Sequence, residues 1–212
     1  MQRLFPSQRR FSTLLFAGIH SLGLTWTPVL VLGTAAVKTM LLPLQITVTR
    51  RQISHLRISP LLLAGISPQE RIDLYTKFKC SPVKTLALSL AQIPVYIMTS
   101  IAIRNTCIEH HEMASDGMLW LTNLCVPDPT LITPVAITLL HLANSIYFQL
   151  RSTDTQTHMF STARLMVLFS RFMCVFAGTV SIFVPAAVNV YWITSALYTL
   201  VYNIIRWHLW KV

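Results

Sequence analysis

A single charged side chain interrupts a long apolar stretch near the start of the chain. Lys38 is the only Asp, Glu, Lys or Arg between Arg10 and Arg50, and it lies near the centre of the apolar stretch 26–48. About twenty apolar residues cross a bilayer as a helix, and a charge at the bilayer centre costs about 2.5–3.5 kcal/mol on insertion scales. Ionisable residues so placed face protein or a water-filled cavity and mark functional sites. Lys38 is therefore the first candidate functional residue.

The composition is that of an integral membrane protein. Of 212 residues, 53% are hydrophobic and only 11% are charged, whereas about a quarter of the residues of a soluble domain are charged. We predict an all-α, polytopic membrane protein with five transmembrane helices at about 26–48, 83–103, 131–150, 165–184 and 186–205. Pro185 separates the last two stretches and predicts a tight hairpin there, because proline disrupts a continuous helix.

The charges of the loops alternate along the chain. Seven Lys or Arg and two acids lie between residues 50 and 84, whereas the next loop carries Glu109, Glu112 and Asp116. Basic residues return around 151–171 and at 206–211. Because basic loops stay on the inner side of a membrane, the alternation predicts that the basic loops and the C-terminus share one side, the matrix in a mitochondrion.

The first residues have the composition of a mitochondrial transit peptide. Residues 1–12 are rich in Arg and Ser, no acid precedes Glu70, and Arg9-Arg10-Phe11-Ser12 resembles a processing site. A short basic tail beside the membrane is the alternative. We therefore divide the chain into a transit peptide at 1–12, a five-helix core at 13–206 and a short tail at 207–212.

Two loops carry local structural signals. Ser67, Pro68 and Glu70 form a capping box with proline in the first turn, which predicts a helix through about Phe78 that pairs with an extension of the first span beyond residue 50. This would be a short helical hairpin on the matrix side. The semi-apolar loop 113–129 predicts a helix at the membrane interface, with Trp120 among the headgroups.

Several motifs, taken in order, resemble those of the YidC/Oxa/Alb membrane protein insertases. The resemblance covers about residues 15–205. The motifs are Trp26, Lys38 and Leu42-Pro43-Leu44; Tyr75 with Ser81-Pro82; Leu90-Ala91-Gln92-Ile93-Pro94-Val95-Tyr96 running to Arg104; Trp120-Leu121 with Pro127-Asp128-Pro129; and Val190-Tyr191-Trp192-Ile193-Thr194-Ser195.

The resemblance implies a groove open to lipid and to the basic side. Lys38 takes the place of the family's intramembrane Arg, which is a departure because lysine is a compact charge that loses its proton more readily when buried. The residues that would line the groove are Lys38, Gln92, Asn144 and Trp192, and those that would form an apolar slide for a client helix are Val95, Met98, Met166 and Met173. Each has a simpler alternative: Lys38 could extend to an interface, and the others could serve ordinary helix packing.

Other chemistry is not indicated. Glu109-His110-His111-Glu112 lacks the spacing of a metal site, and the four cysteines form no CxxC pair and no disulfide framework. No nucleophile, phosphate loop or pair of carboxylates within a span is evident. We therefore expect that the protein is not an enzyme and that it binds no cofactor and no metal.

The resemblance implies a function in the mitochondrial inner membrane. With only 207–212 after the last span, the chain is most similar to members that assemble cytochrome c oxidase without a ribosome-binding tail, which implies export of the C-terminal domain of oxidase subunit 2. The partners would be membrane-protein clients, the bilayer and auxiliary assembly factors, with no nucleic acid. The alternatives are a small solute or proton carrier that uses Lys38, and a passive assembly scaffold.

Overall fold

The chain folds into helices joined by short loops. The computed structural model describes residues 16, 18–21, 23–63, 66–152 and 162–209. Within these ranges there is no β-strand, and the only strand-like pairing is an isolated bridge between Met118 and Leu121. The all-α class is thus confirmed. The predicted transit peptide at 1–12 and the end of the predicted tail, 210–212, lie outside the described residues.

The first helix, α1, is longer than the span predicted for it. It runs over Trp26–Leu63 and continues past residue 50, as expected. The second helix, α2 (Pro68–Lys77), begins with the predicted capping box, in which Ser67 Oγ accepts from the backbone amide of Glu70 and the Glu70 carboxylate accepts from the amide of Ser67. His55 of α1 stacks on Tyr75 of α2 with ring centroids 5.9 Å apart. The helical hairpin is therefore confirmed.

The second predicted span consists of two helices. Helix α3 (Pro82–Leu90) and helix α4 (Gln92–Glu109) are separated by a turn at Ala91. Pro94 explains the break, because it has no amide to donate to the carbonyl of Leu90 and its ring would clash with that carbonyl in a regular helix. The predicted limits 83–103 therefore miss both the interruption and the last turn of α4.

Three further helices complete the bundle. They are α5 (Ile132–Ser152), α6 (Thr162–Ser181) and α7 (Ala186–Leu209). The turn predicted at Pro185 is confirmed, and the Pro185 carbonyl accepts from the Val188 amide at 2.9 Å. Helix α7 contacts α1, α4 and α5, and α6 packs against α5. Helix α7 is therefore the central element of the bundle.

The loop between α4 and α5 is not the interfacial helix that the sequence predicts. Only the short 3-10 helix His111–Ala114 forms there, and the prediction of a helix over 113–129 is wrong. The loop is instead tied to the start of α1, since Asp116 accepts hydrogen bonds from the Trp26 amide and the Thr27 hydroxyl, at 3.2 and 3.1 Å. Leu119 has a φ of +58°, which a helix does not permit.

This acidic loop closes one end of the bundle. The carbonyls of Leu124 and Val126 accept hydrogen bonds from the first two amides of α7, at 2.9 and 2.8 Å. A buried apolar core lies beneath the loop, formed by Phe16, Trp26, Val29, Leu30, Ile103, Cys107, Met113, Leu124, Ala187, Val188 and Tyr191. We call this end of the bundle the acidic end and the opposite end, near α2, the basic end.

Two segments of the described chain are long and apolar enough to span a membrane. They are Trp26–His55 and Val83–Glu109, with mean hydropathies of 1.7 and 1.8. Leu168–Ser181 in α6 is apolar but shorter. Membrane-capable helices are thus confirmed at the first two predicted spans, and five crossings stay a prediction.

Candidate functional site

Lys38 lies near the middle of the membrane-capable segment Trp26–His55 of α1. It is 12 residues from Trp26 and 17 from His55, which corresponds to about 18 and 26 Å along a helix. Its side chain is half-buried, and its ammonium group donates to Thr199 Oγ1 of α7 at 3.4 Å. One residue further along α1, Thr39 shares a hydrogen bond of 3.0 Å with Tyr198. Lys38 therefore points at the central helix rather than away from the bundle.

The charge of Lys38 has no carboxylate partner in the part of the chain that the structure describes. An ion pair joins His20 to Glu112, but this lies at the acidic end. His141 of α5 is close enough to Lys38 for the lysine charge to act on it. A positive charge in a partly dry position without a counter-ion favours an anionic or strongly polar ligand.

Asn144 joins two of the helices beside Lys38. Its amide donates to the carbonyls of Leu140 in its own helix and Ala196 in α7, at 3.0 and 3.1 Å. Its oxygen accepts from Asn203 Nδ2 at 3.4 Å. Asn203 is one turn beyond Thr199, so Asn144 and Lys38 bind adjacent turns of the same face of α7.

A polar cleft of about 300 Å³ extends from this region toward the basic end. Its walls come from α1, the end of α3 and start of α4, α5 and α7, and its lining residues are Gln45, Val48, Thr49, Gln52, Ser89, Gln92, Phe148, Asn203 and Arg206. On α1, Gln45 and Gln52 lie 7 and 14 residues beyond Lys38, so they share its face at about 10 and 21 Å along the helix. Lys38 thus lies on the same face of α1 as the two glutamines of the cleft wall, two turns from the nearer one.

Of the four residues predicted to line a groove, only Gln92 lines the cleft, and two others are linked to it through α7. Gln92 lies in the cleft wall, Asn144 is bonded to the wall residue Asn203, and Lys38 binds Thr199 one turn away. Trp192 is not in the wall. Its indole donates to Ser100 Oγ at 3.0 Å and stacks on Tyr96, which places it between α4 and α7.

The residues predicted to form an apolar slide lie on two different helices. Val95 and Met98 of α4 are half-buried, and 37% of Met173 in α6 is exposed. The side chains of Met166 and Met159 lie outside the described residues. Large exposed apolar side chains accompany them on both helices, namely Ile93, Ile97 and Ile101 on α4 and Leu168, Phe169, Phe172, Val175 and Phe176 on α6. The slide stays a prediction.

The structure adds polar residues that the sequence analysis did not single out. They are His141, Gln45, Gln52, Asn203 and Arg206. Helical spacing could have indicated most of them. Ser195, Thr199, Asn203 and Arg206 recur every three or four residues and so lie along one face of α7, as Lys38, Gln45 and Gln52 do on α1.

A second polar cluster is buried at the acidic end. The Asp128 carboxylate accepts four hydrogen bonds, from the amides and hydroxyls of Thr130 and Thr133, at 2.6–2.9 Å. Asn189 of α7 donates to Thr133 Oγ1 at 3.1 Å and to the carbonyl of Ser181 at 3.0 Å. Burial works to raise the pKa of Asp128, but the four hydrogen bonds outweigh it and lower the pKa to about 2. This cluster joins α5, α6 and α7.

No group of three or more His, Cys, Asp or Glu in the described ranges has the arrangement of a metal site. His110 instead packs its ring against Trp26, with centroids 4.9 Å apart, and His20 stacks on the other part of that indole at 4.2 Å. The histidines of the acidic end therefore serve to bury Trp26.

These features define a helical protein with membrane-capable segments, a half-buried lysine midway along one of them, and a polar cleft lined by residues of α1, α3, α4, α5 and α7. Residues 66–208 match the family model described as 60Kd inner membrane protein. This is about two thirds of the chain, and the chain therefore belongs to that family, which is the YidC/Oxa/Alb family of the resemblance.

Related proteins cover parts of the chain. The chain is 32% identical to "Cytochrome c oxidase assembly protein cox18, mitochondrial" of Schizosaccharomyces pombe, in an alignment of 63% of this chain and 64% of the relative. It is 30% identical to the protein of the same description from Pongo abelii, over 63% of this chain and 42% of the relative. It is 28% identical to "Mitochondrial inner membrane protein OXA1-like" of Arabidopsis thaliana, over 90% of this chain and 47% of the relative. The chain thus spans from about two fifths to just under two thirds of the length of these relatives.

Proposed function

We propose that this chain is an insertase of the mitochondrial inner membrane that inserts membrane proteins and exports a polar client domain for cytochrome c oxidase assembly. The proposed client is the C-terminal domain of oxidase subunit 2. Family membership supports the insertase function, and two of the relatives described above are named as cytochrome c oxidase assembly proteins. In this proposal residues 1–12 are a presequence that is removed on import.

The observation that carries the proposal is the difference between the two ends of the bundle. At the acidic end the acidic loop covers a buried apolar core, whereas the opposite part of the bundle holds a polar cleft whose wall residue Asn203 is one turn of α7 from Thr199, the hydrogen-bond partner of Lys38. A polar client segment moved halfway into the membrane would keep hydrogen-bonding partners there, which lowers the desolvation cost of its crossing. An apolar client helix would leave along the exposed faces of α4 and α6.

The proposed topology has five crossings, with the basic end and the C-terminus in the matrix. An acidic client segment would be attracted to Lys38 from the matrix side. The membrane potential would then draw it toward the acidic end, with about 2.3 kcal/mol per charge for each 100 mV. Lys38 would act as a transient counter-charge rather than as a catalytic group.

Substitution of Lys38 tests this function. In cells that depend on this chain for oxidase assembly, we expect Lys38→Ala to lose export of the subunit 2 domain and Lys38→Arg to retain it, because arginine keeps the charge. Lys77→Ala is the matched control, since Lys77 is an exposed lysine in the last turn of α2. Normal export with Lys38→Ala would contradict the proposal.

Crosslinking separates an insertase from a passive scaffold. A photoreactive residue in place of Gln92 should crosslink a radiolabelled client early in insertion and lose the crosslink as the client matures. The same probe at Leu139, which is 59% exposed on α5 and outside the cleft, is the control. Crosslinks at position 92 that persist unchanged with time would favour a scaffold.

A proton carrier is the second candidate, and the observation that favours it is His141 beside Lys38. Two titratable side chains that lie close together inside the bundle could pass a proton between them. Proton flux into proteoliposomes that is lost in both Lys38→Met and His141→Gln would support this function. Flux equal to that of protein-free vesicles would exclude it.

A further inference from the structure

Two cysteines meet at the acidic end of the bundle. Cys107 lies in the last turn of α4, and Cys125 lies 18 residues later in the acidic loop. Cys125 Sγ donates to the Cys107 carbonyl at 3.5 Å, and Cys107 Sγ donates to the Leu124 carbonyl, next to Cys125, at 4.0 Å. The fold therefore places these two cysteines side by side although no CxxC motif predicts it.

The other two cysteines provide an internal comparison. Cys80 is fully buried next to the basic hairpin, and Cys174 is buried on α6. Within the described ranges, neither thiol contacts another cysteine. The pairing of Cys107 with Cys125 is thus a particular feature of the acidic end.

We propose that Cys107 and Cys125 form a thiol–disulfide site that is oxidised by a small disulfide of the glutathione disulfide class. Burial leaves 8% of Cys107 accessible, whereas Cys125 is partly exposed, so Cys125 is the thiol that meets the oxidant. Cys125 Sγ lies 3.5 Å from the carbonyl of Cys107, which is the short range that disulfide formation requires.

The reaction is two successive thiol–disulfide exchanges. Cys125 loses its proton to solvent, and its sulfur attacks one sulfur of the oxidant, which breaks the oxidant's disulfide and releases one thiol after protonation. Cys107 then loses its proton and attacks the sulfur of Cys125, which releases the second thiol. Two electrons pass from the cysteine pair to the oxidant, and one protein disulfide and two small thiols result.

The bond would fasten the acidic loop to α4. The carbonyls of Leu124 and Val126, on either side of residue 125, already accept hydrogen bonds from the first amides of α7. A disulfide at this position would therefore join α4 covalently to the loop, which is itself hydrogen-bonded to α7, and hold the acidic end closed. It would also stabilise the fold, because it closes a loop of 18 residues in the unfolded chain.

The experiment counts thiols in the full chain. The protein is purified in detergent micelles under reducing conditions, equilibrated with glutathione disulfide, quenched with acid, unfolded and reacted with a polymer-linked maleimide. We expect the number of reactive cysteines to fall from four to two. Mass spectrometry should find a peptide that joins residues 107 and 125 and lacks two hydrogen atoms.

Matched variants assign the bond. The double variant Cys80→Ser with Cys174→Ser should still lose both of its remaining thiols, whereas Cys125→Ser should lose none. Oxidation should raise the thermal midpoint of the wild-type chain by several degrees and leave that of Cys125→Ser unchanged. The proposal is overturned if all four thiols stay reactive, if a bond includes Cys80 or Cys174, or if only mixed disulfides with glutathione form.

Discussion

The sharpest prediction concerns Asp128, whose carboxylate is almost completely buried. Only 3% of the residue is exposed, and both oxygens accept two hydrogen bonds each, from Thr130 and Thr133. Thr133 lies in the first turn of α5 and Thr130 in the turn before it, so the carboxylate also satisfies an amide that the start of the helix leaves unpaired. The substitution Asp128→Asn keeps the size of the side chain but replaces one accepting oxygen by an NH₂ group that faces two donors.

The size of the effect follows from the charge and from the lost acceptors. The pKa of Asp128 falls from 3.8 to about 2, and each pKa unit corresponds to about 1.36 kcal/mol, so the folded state favours the charged form by about 2 kcal/mol. Leaving buried donors without an acceptor adds about 1–3 kcal/mol. We expect Asp128→Asn to lower the free energy of unfolding by about 3–5 kcal/mol at neutral pH.

The pH dependence has a definite sign. Because the folded pKa of Asp128 is below the unfolded value, the stabilisation by its charge is fully present above about pH 4 and disappears as the pH falls toward 2. The difference in stability between the wild-type chain and Asp128→Asn should therefore shrink over that interval. A raised folded pKa would produce the opposite trend.

Unfolding in mixed micelles measures these quantities. The chain in nonionic detergent is titrated with dodecyl sulfate at neutral pH while helicity is followed by circular dichroism, and thermal midpoints are compared at pH 6 and pH 3. Asp73→Asn, at an exposed acid of α2, is the control and should change the unfolding free energy by less than about 0.5 kcal/mol. If Asp128→Asn behaved like this control, the reasoning about the buried carboxylate would be refuted.

Two packing predictions can be checked in the same assay. Gly178→Ala should destabilise the chain by about 1–3 kcal/mol, because a Cβ at that position of α6 would overlap Thr138 Oγ1 of α5. An unchanged free energy of unfolding would contradict the close approach of α5 and α6 at Gly178. Pro94→Ala should let α3 and α4 join into one helix, because it restores an amide that can donate to the Leu90 carbonyl. The helical circular dichroism signal should therefore rise. An unchanged signal would mean that packing, rather than proline, imposes the turn at Ala91.

Much of the helical framework could be predicted because its signals are local. The capping box at Ser67 and the turn at Pro185 depend on residues close together in the chain, and both were predicted at the positions where they occur. The continuation of α1 past residue 50 followed from the need of α2 for a partner. By contrast, the interruption at Ala91 was not predicted, although Pro94 lies three residues later. Hydropathy measures how apolar a stretch is and does not detect a missing backbone hydrogen bond.

The acidic loop shows where local reasoning fails. Its apolar residues suggest a helix at the membrane surface, but the loop is shaped by partners about 90 residues away, since Asp116 binds Trp26 and Thr27. Leu124 is fully buried in the core that the loop covers, so its apolar character serves the protein interior rather than the bilayer. Such contacts of high sequence separation leave no periodic pattern.

The site could be predicted only in part, because a helix presents several faces and the sequence does not say which face meets which neighbour. Lys38, Gln92 and Asn144 were each recognisable as polar residues in apolar stretches, and all three lie at the cleft or one turn of α7 from it. Trp192 belongs to the same helix as Thr199 but meets α4, where Ser100 accepts from its indole.

The two halves of α7 differ in a way that supports the one-sided site that we propose. Its first turns hold Ala187 and Val188 in the closed core, with their backbone bound to the acidic loop, whereas Thr199 and Asn203 bind Lys38 and Asn144 on the way to the cleft. A helix with small apolar residues at one end and amides and hydroxyls at the other can seal a membrane on one side and admit polar groups from the other. Because Thr199 is a neutral acceptor, it holds the ammonium group of Lys38 in place without cancelling its charge, and that charge is what an acidic client segment would meet at the inner end of the cleft.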